Sequence, residues 1–344
     1  MSWKVRQGDA LARLREMPDE SVHCCVTSPP YFGLRDYGVE GQIGLEPSLD
    51  EYLARLVKVF AEVRRVLRSD GTLWLNIGDS YASKPRGSDN GWDKSRLTNP
   101  SRVQKAQSES LRRSRHTAST SGAKQKDLMM VPAQLALALR ADGWYLRSEI
   151  IWHKRAPMPE SVRDRPTRAH EQLFLLSRSP RYHYDGAAIA EPARYDGPNG
   201  AQHSPYAQGF GRRTPEQEAE RRLKRRTVRP GVDTNGGGQG NGAMSYPART
   251  ANKRSVWTLS SEPFAEAHFA TFPTKLIEPC ILAGCPEGGT VLDPFAGAST
   301  TGVVATRLDR SYIGIELNPA YVEMGRRRIR DDAPLLNTPI EAAS

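Results

Sequence analysis

Residues 289–317, GTVLDPFAGASTTGVVATRLDRSYIGIEL, decide the fold. The run TVLD is apolar and β-branched and stops at Pro294, which has no N–H to give to a sheet ladder, so a strand ends there. Gly297, Ala298 and Ser299 are small enough for the backbone behind Asp293 to approach a ligand. The segment TTGVVATRLD has helical apolar spacing, and SYIGIEL returns as a strand that closes on Glu316. This is one strand, turn, helix, strand unit. The free N–H groups of the first helical turn suit a carboxylate, and an acid at Glu316 suits a pair of ribose hydroxyls. The turn departs from GxGxxG, which argues against a pyrophosphate-bearing dinucleotide and leaves a nucleoside cofactor, with an ordinary βα turn as the bland reading.

The same pattern recurs toward the other end of the chain. Residues 22–27, VHCCVT, and 71–77, GTLWLNI, read as buried strands. Between them residues 50–67 place Leu53, Leu56, Val57, Phe60, Val63, Val66 and Leu67 at helical spacing, with a stop expected at Asp70 and Gly71. A further unit is expected where VPAQLALALRADGW reads as helix and YLRSEIIWHK and QLFLLSR read as strands. The fold class expected is α/β, a mostly parallel sheet with helices on both faces, and ligands in such sheets bind at the carboxyl ends of strands.

At the end of the 22–27 strand stands TSPPY, residues 27–31. Two prolines fix φ and remove two N–H groups, which leaves carbonyls facing a pocket. Ser28 and the Pro29 carbonyl would accept the two hydrogens of a planar amine, and Tyr31 offers a face for an aromatic ring. A Pro-Pro loop that merely ends a strand is the plain alternative.

The formal charge of +10 is uneven. Residues 84–127 hold eleven Lys/Arg against four Asp/Glu, and residues 186–254 hold twelve against six, so the rest of the chain is net −3. Both segments are rich in Gly, Ser, Asn, Gln and Arg and poor in periodic apolar residues, as in GRRTPEQEAERRLKRRTVRPG. Solvated linkers are one reading. Two basic inserts on an apolar core favour a polyanion partner, with Arg112, Arg113, Arg115, Arg221, Arg222, Arg225 and Arg226 as candidate contacts. Cys24, Cys25, Cys280 and Cys285 show no CxxC spacing and read as buried thiols of a reducing compartment, and no metal site is expected. No apolar run has the roughly 20 residues of a membrane helix, and MSWKVRQGDA lacks a signal-peptide core, so a cytoplasmic chain is expected.

Taken together, GDALARLREMPDESVHCCVTSPPYFGLRDYG, RVLRSDGTLWLNIGDSY, IIWHKRAPMPESVRDRPTRAHEQLFLLSRSPRYHYD, HFATFPTKLIEPCILAGC, VLDPFAGASTTG and GIELNPAYVE resemble the site-specific DNA amino-methyltransferases of bacteria and phages, in the permuted beta group. In that group the TSPPY-type motif precedes the cofactor turn. The resemblance implies a Rossmann-like, circularly permuted fold and S-adenosylmethionine as cofactor. It implies that Asp9 approaches the adenine of the cofactor, that Phe272 and Pro273 line its pocket, and that Asp293, Phe295, Gly297, Ser299, Thr300 and Glu316 bind the remainder. It also implies that Ser28, Pro29, Pro30 and Tyr31 hold a flipped base. The family's usual DPFxGSGTT reads here DPFAGASTT, with Ala298 and Ser299 in place of Ser and Gly.

Within that resemblance a leading Ser is the form of the enzymes that modify the 4-amino group of cytosine, with the 6-amino group of adenine as the alternative, since both bases present an exocyclic amine. A protein glutamine methyltransferase and an inactive DNA-binding module are weaker readings, the first because its motifs run in the other order, the second because both turns are intact. The expected organisation is a core of residues 1–83, 127–185 and 257–330, a basic insert at 84–126, a target-recognition region at 186–256 and a tail at 331–344. Double-stranded DNA is the expected partner, with a homodimer and a restriction endonuclease acting on the same site as further candidates.

Overall fold

The computed structural model describes residues 2–34, 36–82, 123–157, 159–192, 250–260, 272–332 and 338–339. Its elements in chain order are β1 (Ser2–Gln7), α1 (Ala10–Arg15), β2 (Val22–Thr27), α2 (Leu49–Val66), β3 (Leu67–Ile77), α3 (Val131–Ala141), β4 (Tyr145–Lys154), β5 (His170–Ser177), β6 (Glu191–Pro192), β7 (Thr250–Ala251), β8 (Val256–Leu259), α4 (Thr274–Gly284), β9 (Thr290–Asp293), α5 (Thr300–Arg307), β10 (Ser311–Glu316), α6 (Pro319–Asp332) and β11 (Thr338–Pro339). The chain divides into two compact units, Met1–Ala188 with Arg254–Ser344, and Ile189–Lys253. In the second unit the described residues form a short antiparallel ladder of β6 and β7.

In the first unit nine strands form one sheet in the order β11-β1-β10-β9-β2-β3-β5-β4-β8. The ladders from β11 through β3 are all parallel, and so is that of β4 with β8, whereas β5 runs antiparallel to both β3 and β4. The sheet is therefore mostly parallel, as the motif order implied. The unit expected around residues 131–177 differs in one respect: α3 does link two parallel strands, β3 and β4, but β5 is threaded between them in the opposite sense.

Alternation along β3 assigns the two faces. Leu73, Leu75 and Ile77 join one buried cluster with Tyr52, Leu56, Phe60 and Val63 of α2 and Leu135 and Leu139 of α3. Thr72 and Trp74 point the other way, toward α4, where Gly284 lets the helix approach closely. A Cβ on Gly284 would overlap the Trp74 indole nitrogen and lie 2.6 Å from the Thr72 hydroxyl. Helices thus cover both faces, α1 to α3 on one and α4 to α6 on the other.

Helix α2 starts where Ser48 accepts a hydrogen bond from Glu51 N (3.2 Å), an N-cap that satisfies one free donor. It ends at Val66, ahead of the stop expected at Asp70 and Gly71, which lie inside β3. Leu67 is fully buried and sits opposite Val22 in the sheet, so strand pairing claims the backbone before the Asp-Gly pair is reached. Several elements had no counterpart in the sequence reading, among them β1, which adds to the sheet beside β10, α4, which packs on α5, and α6, which packs on β1 and α5. All four cysteines are buried and free. Among the described residues no helix is long and apolar enough to cross a membrane.

Candidate active site at the centre of the sheet

From β2 the chain winds outward to β3, and from β9 it winds the opposite way to β10, while β2 and β9 lie side by side. This reversal opens a crevice at the carboxyl ends of the two central strands, the place where open α/β sheets hold ligands. TSPPY leaves β2 there, and DPFAGAST leaves β9.

One buried carboxylate ties the two turns together. Asp293, 1% exposed, accepts from Thr27 Oγ1 at 2.6 Å, from Thr301 Oγ1 at 2.8 Å and from Phe295 N at 3.1 Å. Burial raises its carboxyl to about 6, against the pull of these three hydrogen bonds. Both oxygens thus accept from protein donors, and Asp293 ties the two turns together.

Glu316 performs a similar task one strand further out. Its Oε2 accepts from Gly297 N and its Oε1 from Asn318 N, each at 2.8 Å. Burial raises its carboxyl above the ordinary value, with those N–H groups opposing. Gly297 has φ +49°, and a Cβ there would meet nothing within 4 Å, so the turn opens onto free space. The Leu317 backbone also hydrogen-bonds the Glu316 carboxylate, which with about four acceptor sites still has room for a further donor. Ser299 is fully buried with φ +57°, an uncommon conformation for a residue with a side chain. Its neighbour Thr300 accepts from Arg328 Nη1 at 2.7 Å, and the same nitrogen reaches the Ala298 carbonyl at 3.2 Å.

The remaining cofactor-side residues fall on the same edge of the sheet. Asp9 caps α1 by accepting from Ala12 N at 2.9 Å, directly after β1, and Gly8 N bonds the Glu316 carbonyl at 2.9 Å. Phe295 is half-buried, edge-on to Phe60 at 6.4 Å between ring centres. Pro273 is buried at the start of α4, with Phe272 half-buried before it. Because α4 ends at Gly284, shortly before β9 begins at Thr290, its first residues lie toward the opposite, carboxyl edge of the sheet.

On the TSPPY side, Tyr52 of α2 donates to the Pro30 carbonyl at 2.8 Å, which fixes the turn from below. Among the described residues none donates to the Pro29 carbonyl. The Tyr31 ring packs on Gly78, where a Cβ would lie 2.6 Å from its Cε2. Its hydroxyl donates to Glu171 Oε2 at 2.7 Å and approaches Asn76 Oδ1 at 3.3 Å. Burial pushes the phenol well above its usual value, the Glu171 carboxylate adds to this, and the Ser28 hydroxyl opposes it. Glu171 in turn pairs through Oε1 with Lys154.

Beside this pocket Asp79 takes Ser80 N and Val131 N on one oxygen and pairs with Arg168 on the other, while Arg165 stacks 3.9 Å above the Tyr81 ring. The sequence reading missed Tyr52, Asn76, Gly78, Asp79, Lys154, Arg168 and Glu171. Asn76 was the traceable one, a polar residue in an otherwise apolar buried strand, which demands a partner. Arg112, Arg113, Arg115, Arg221, Arg222, Arg225 and Arg226 lie outside the described residues.

A family model described as DNA methylase matches residues 22–327. The chain is 44% identical over 326 residues to the type II methyltransferase M.Cfr9I of Citrobacter freundii, covering 95% of this chain and 87% of that protein. It is 42% identical over 328 residues to M.SmaI of Serratia marcescens, covering 95% and 91%. Two solved structures share the fold. A putative DNA modification methylase from Thermus thermophilus, complexed with S-adenosyl-L-methionine, matches with a TM-score of 0.55 at 20% identity over 99% of both chains. PvuII DNA methyltransferase (cytosine-N4-specific) matches with a TM-score of 0.57 at 16% identity over 98% of this chain and 93% of that one. Both turns of the crevice fall inside the family match, and the type II relatives align along nearly the whole chain: the chain belongs to the DNA methylase family.

Proposed function

We propose that this chain transfers a methyl group from S-adenosylmethionine to the exocyclic amine of a base rotated out of double-stranded DNA, and that the base is cytosine, modified at its 4-amino group. The observation that carries the reading is the joining of TSPPY and DPFAGAST across β2 and β9 by the Thr27–Asp293 bond.

The residues present fit the cofactor. The open side of Gly297 admits a ligand against bare backbone, and Glu316, at the end of the neighbouring strand with acceptor capacity left, is a natural acceptor for a ribose hydroxyl. Asp9, Phe272, Pro273 and Phe295 would enclose the nucleoside end. Ser299 and Thr300, at the start of α5, would face the charged amino-acid end. When bound, S-adenosylmethionine supplies a methyl group made electrophilic by a positive sulfur.

The residues of the chain act on the amine. A cytosine amino nitrogen is a weak nucleophile because its lone pair is delocalised into the ring. If Ser28 and the Pro29 carbonyl accept its two N–H groups, the nitrogen is drawn toward tetrahedral geometry and its lone pair is freed, an interaction that strengthens as positive charge develops in the transition state. Tyr31, backed by Gly78, presents its other face for the base to stack on. The methyl group would pass to the nitrogen that Ser28 and the Pro29 carbonyl hold, with the thioether as leaving group. The ammonium product is acidic enough to lose its proton to water without a strong base.

Reading the base calls for a flipped nucleotide, since a ring amine in a duplex cannot reach a methyl donor inside a crevice. The basic segments 84–127 and 186–254 are the proposed DNA contacts, and residues 186–256, which include the second unit Ile189–Lys253, are the proposed target-recognition region. A homodimer and an endonuclease sharing the site complete the proposal for partners, and the cytoplasm is the proposed compartment. The test is to incubate the protein with duplex DNA and labelled S-adenosylmethionine, then digest the DNA to nucleosides. Label in N4-methylcytosine is the expected outcome, and label in N6-methyladenine would reassign the target.

A further inference from the structure

The hydroxyl of Tyr31 needs a reason. A phenylalanine would stack on a base as well, so the phenol has another task.

Three constraints converge on that ring. Gly78 sets one side of it, because any Cβ there would overlap Cε2 (2.6 Å) and crowd Cδ2 (3.2 Å). Tyr52 and the backbone around Gly44 hold its main chain: Tyr52 Oη bonds the preceding Pro30 carbonyl, and a Cβ on Gly44 would press to 3.0 Å from the Tyr31 carbonyl. The far end of the ring is held by Glu171, at 2.7 Å from the hydroxyl. Glu171 enters the site on β5, the strand that runs antiparallel between β3 and β4, which places its first residues at the carboxyl end of β3. Across the β4–β5 hairpin Lys154 takes the other oxygen of the same carboxylate, and its ammonium rests 4.7 Å above the Trp152 ring. Glu171 and Lys154 are both largely sheltered from water, so their pairing is weakly screened and the carboxylate is fixed at both oxygens.

We propose that Glu171, fixed by Lys154, is a positioning residue that holds the Tyr31 hydroxyl and thereby the plane on which the target base stacks. The inference rests on the reading of Tyr31 as the stacking surface. It assigns β5, the one strand inserted against the parallel direction, to the alignment of the base. Loss of the hydrogen bond would leave the ring free to tilt away from Gly78, and misalignment of a bound reactant costs rate far more than affinity.

The test uses the full chain, single-turnover methylation of duplex DNA and cofactor titration, with Tyr31→Ala, Tyr31→Phe, Glu171→Ala, Glu171→Gln and the Tyr31→Phe/Glu171→Ala double variant. Tyr31→Phe and Glu171→Ala are each expected to slow transfer by roughly tenfold or more with unchanged cofactor affinity. The double variant should be no slower than Tyr31→Phe, because without the phenol Glu171 has no hydroxyl to hold. Glu171→Gln, which keeps an acceptor for the phenol, should restore most of the rate. Its similar size also guards against a folding defect in Glu171→Ala, which thermal unfolding would reveal. Losses that multiply in the double variant, or a normal rate in Glu171→Ala with Tyr31→Ala impaired, would overturn the proposal and leave the stacking role intact. A normal rate in Tyr31→Ala would instead remove the stacking role itself.

Discussion

Ser299 occupies a left-handed backbone position, φ +57°, where the family pattern has glycine, and Gly325 on α6 makes room for it. A Cβ on Gly325 would overlap the Ser299 hydroxyl and fall 3.0 Å from its Cβ, but 3.6 Å from the Gly297 carbonyl, which is ordinary contact. The two residues are therefore coupled. Gly325→Ala alone should destabilise by about 1–3 kcal/mol through overpacking. Ser299→Gly should stabilise by about 1 kcal/mol by relieving the left-handed strain. In the Ser299→Gly background Gly325→Ala should change sign and stabilise by about 1 kcal/mol, since alanine is then only a better helix former. Urea unfolding of the four proteins measures this coupling.

Asp293 gives the second prediction at this scale. Its folded value of about 6 lies above the ordinary value of 3.8, so between those values the folded protein holds a proton that the unfolded chain has lost. Stability is highest on the acidic side of that window and falls as pH rises through it, by about 3 kcal/mol in all. Relative to Asp293→Asn, which has no such titration, the wild type should lose that amount between roughly pH 4 and 7. A constant difference across the range would mean that the carboxylate is better solvated than its burial implies. Functionally, Ser28→Ala should slow transfer while leaving cofactor affinity unchanged, and Glu316→Ala should weaken cofactor binding by about 1.5–3 kcal/mol, the range of a hydrogen bond to a charged group. Single-turnover rates and calorimetry with S-adenosylhomocysteine separate the two effects.

At the scale of elements, the parallel units around β2 and β9 were legible because their strands are buried on both faces and end at prolines, while their helices carry a clear apolar stripe. The end of α2 was not, since Leu67 already pairs with Val22, and the turn formers Asp70 and Gly71 fall in the irregular stretch of β3 between the Leu67–Val22 and Thr72–Cys24 pairs. The direction of β5 was also hidden, because an apolar run such as LFLLS reads the same in either sense. Of the site, the turns were legible and their supports were not. Tyr52, Gly78 and Glu171 are far apart in sequence and meet only at Pro30 and Tyr31. Tyr52→Phe tests the support from α2: loss of its bond to the Pro30 carbonyl should cost about 1 kcal/mol of stability and slow transfer without altering cofactor affinity.

For the whole molecule, the segregation of charge matters more than the total. The two basic segments together carry more positive charge than the entire chain, so the remainder is slightly acidic and would repel a phosphate backbone. Binding to random duplex should therefore weaken steeply with salt, with a log-log slope near about −0.9 per phosphate neutralised. Replacing Arg112, Arg113 and Arg115 by Ala should flatten the slope without changing the preferred sequence, because phosphate contacts orient and do not read. Binding to specific and random duplexes across a salt series checks both points, and an unchanged slope would return the segment to a solvated linker.

The pairing of β2 with β9 joins residues about as far apart as Cys24 and Val291, and β1 pairs with β10 over a still longer span. Contacts of such long sequence separation form late and slowly. During synthesis on the ribosome, the TSPPY strand emerges well before β9 and waits, while the residues between them are made, with one apolar edge open, a template for wrong pairing. A chain truncated before residue 290 would thus have a finished α2 and β3 but a β2 paired on one edge alone, and such a product should aggregate or be degraded before it could occupy DNA and block the intact enzyme.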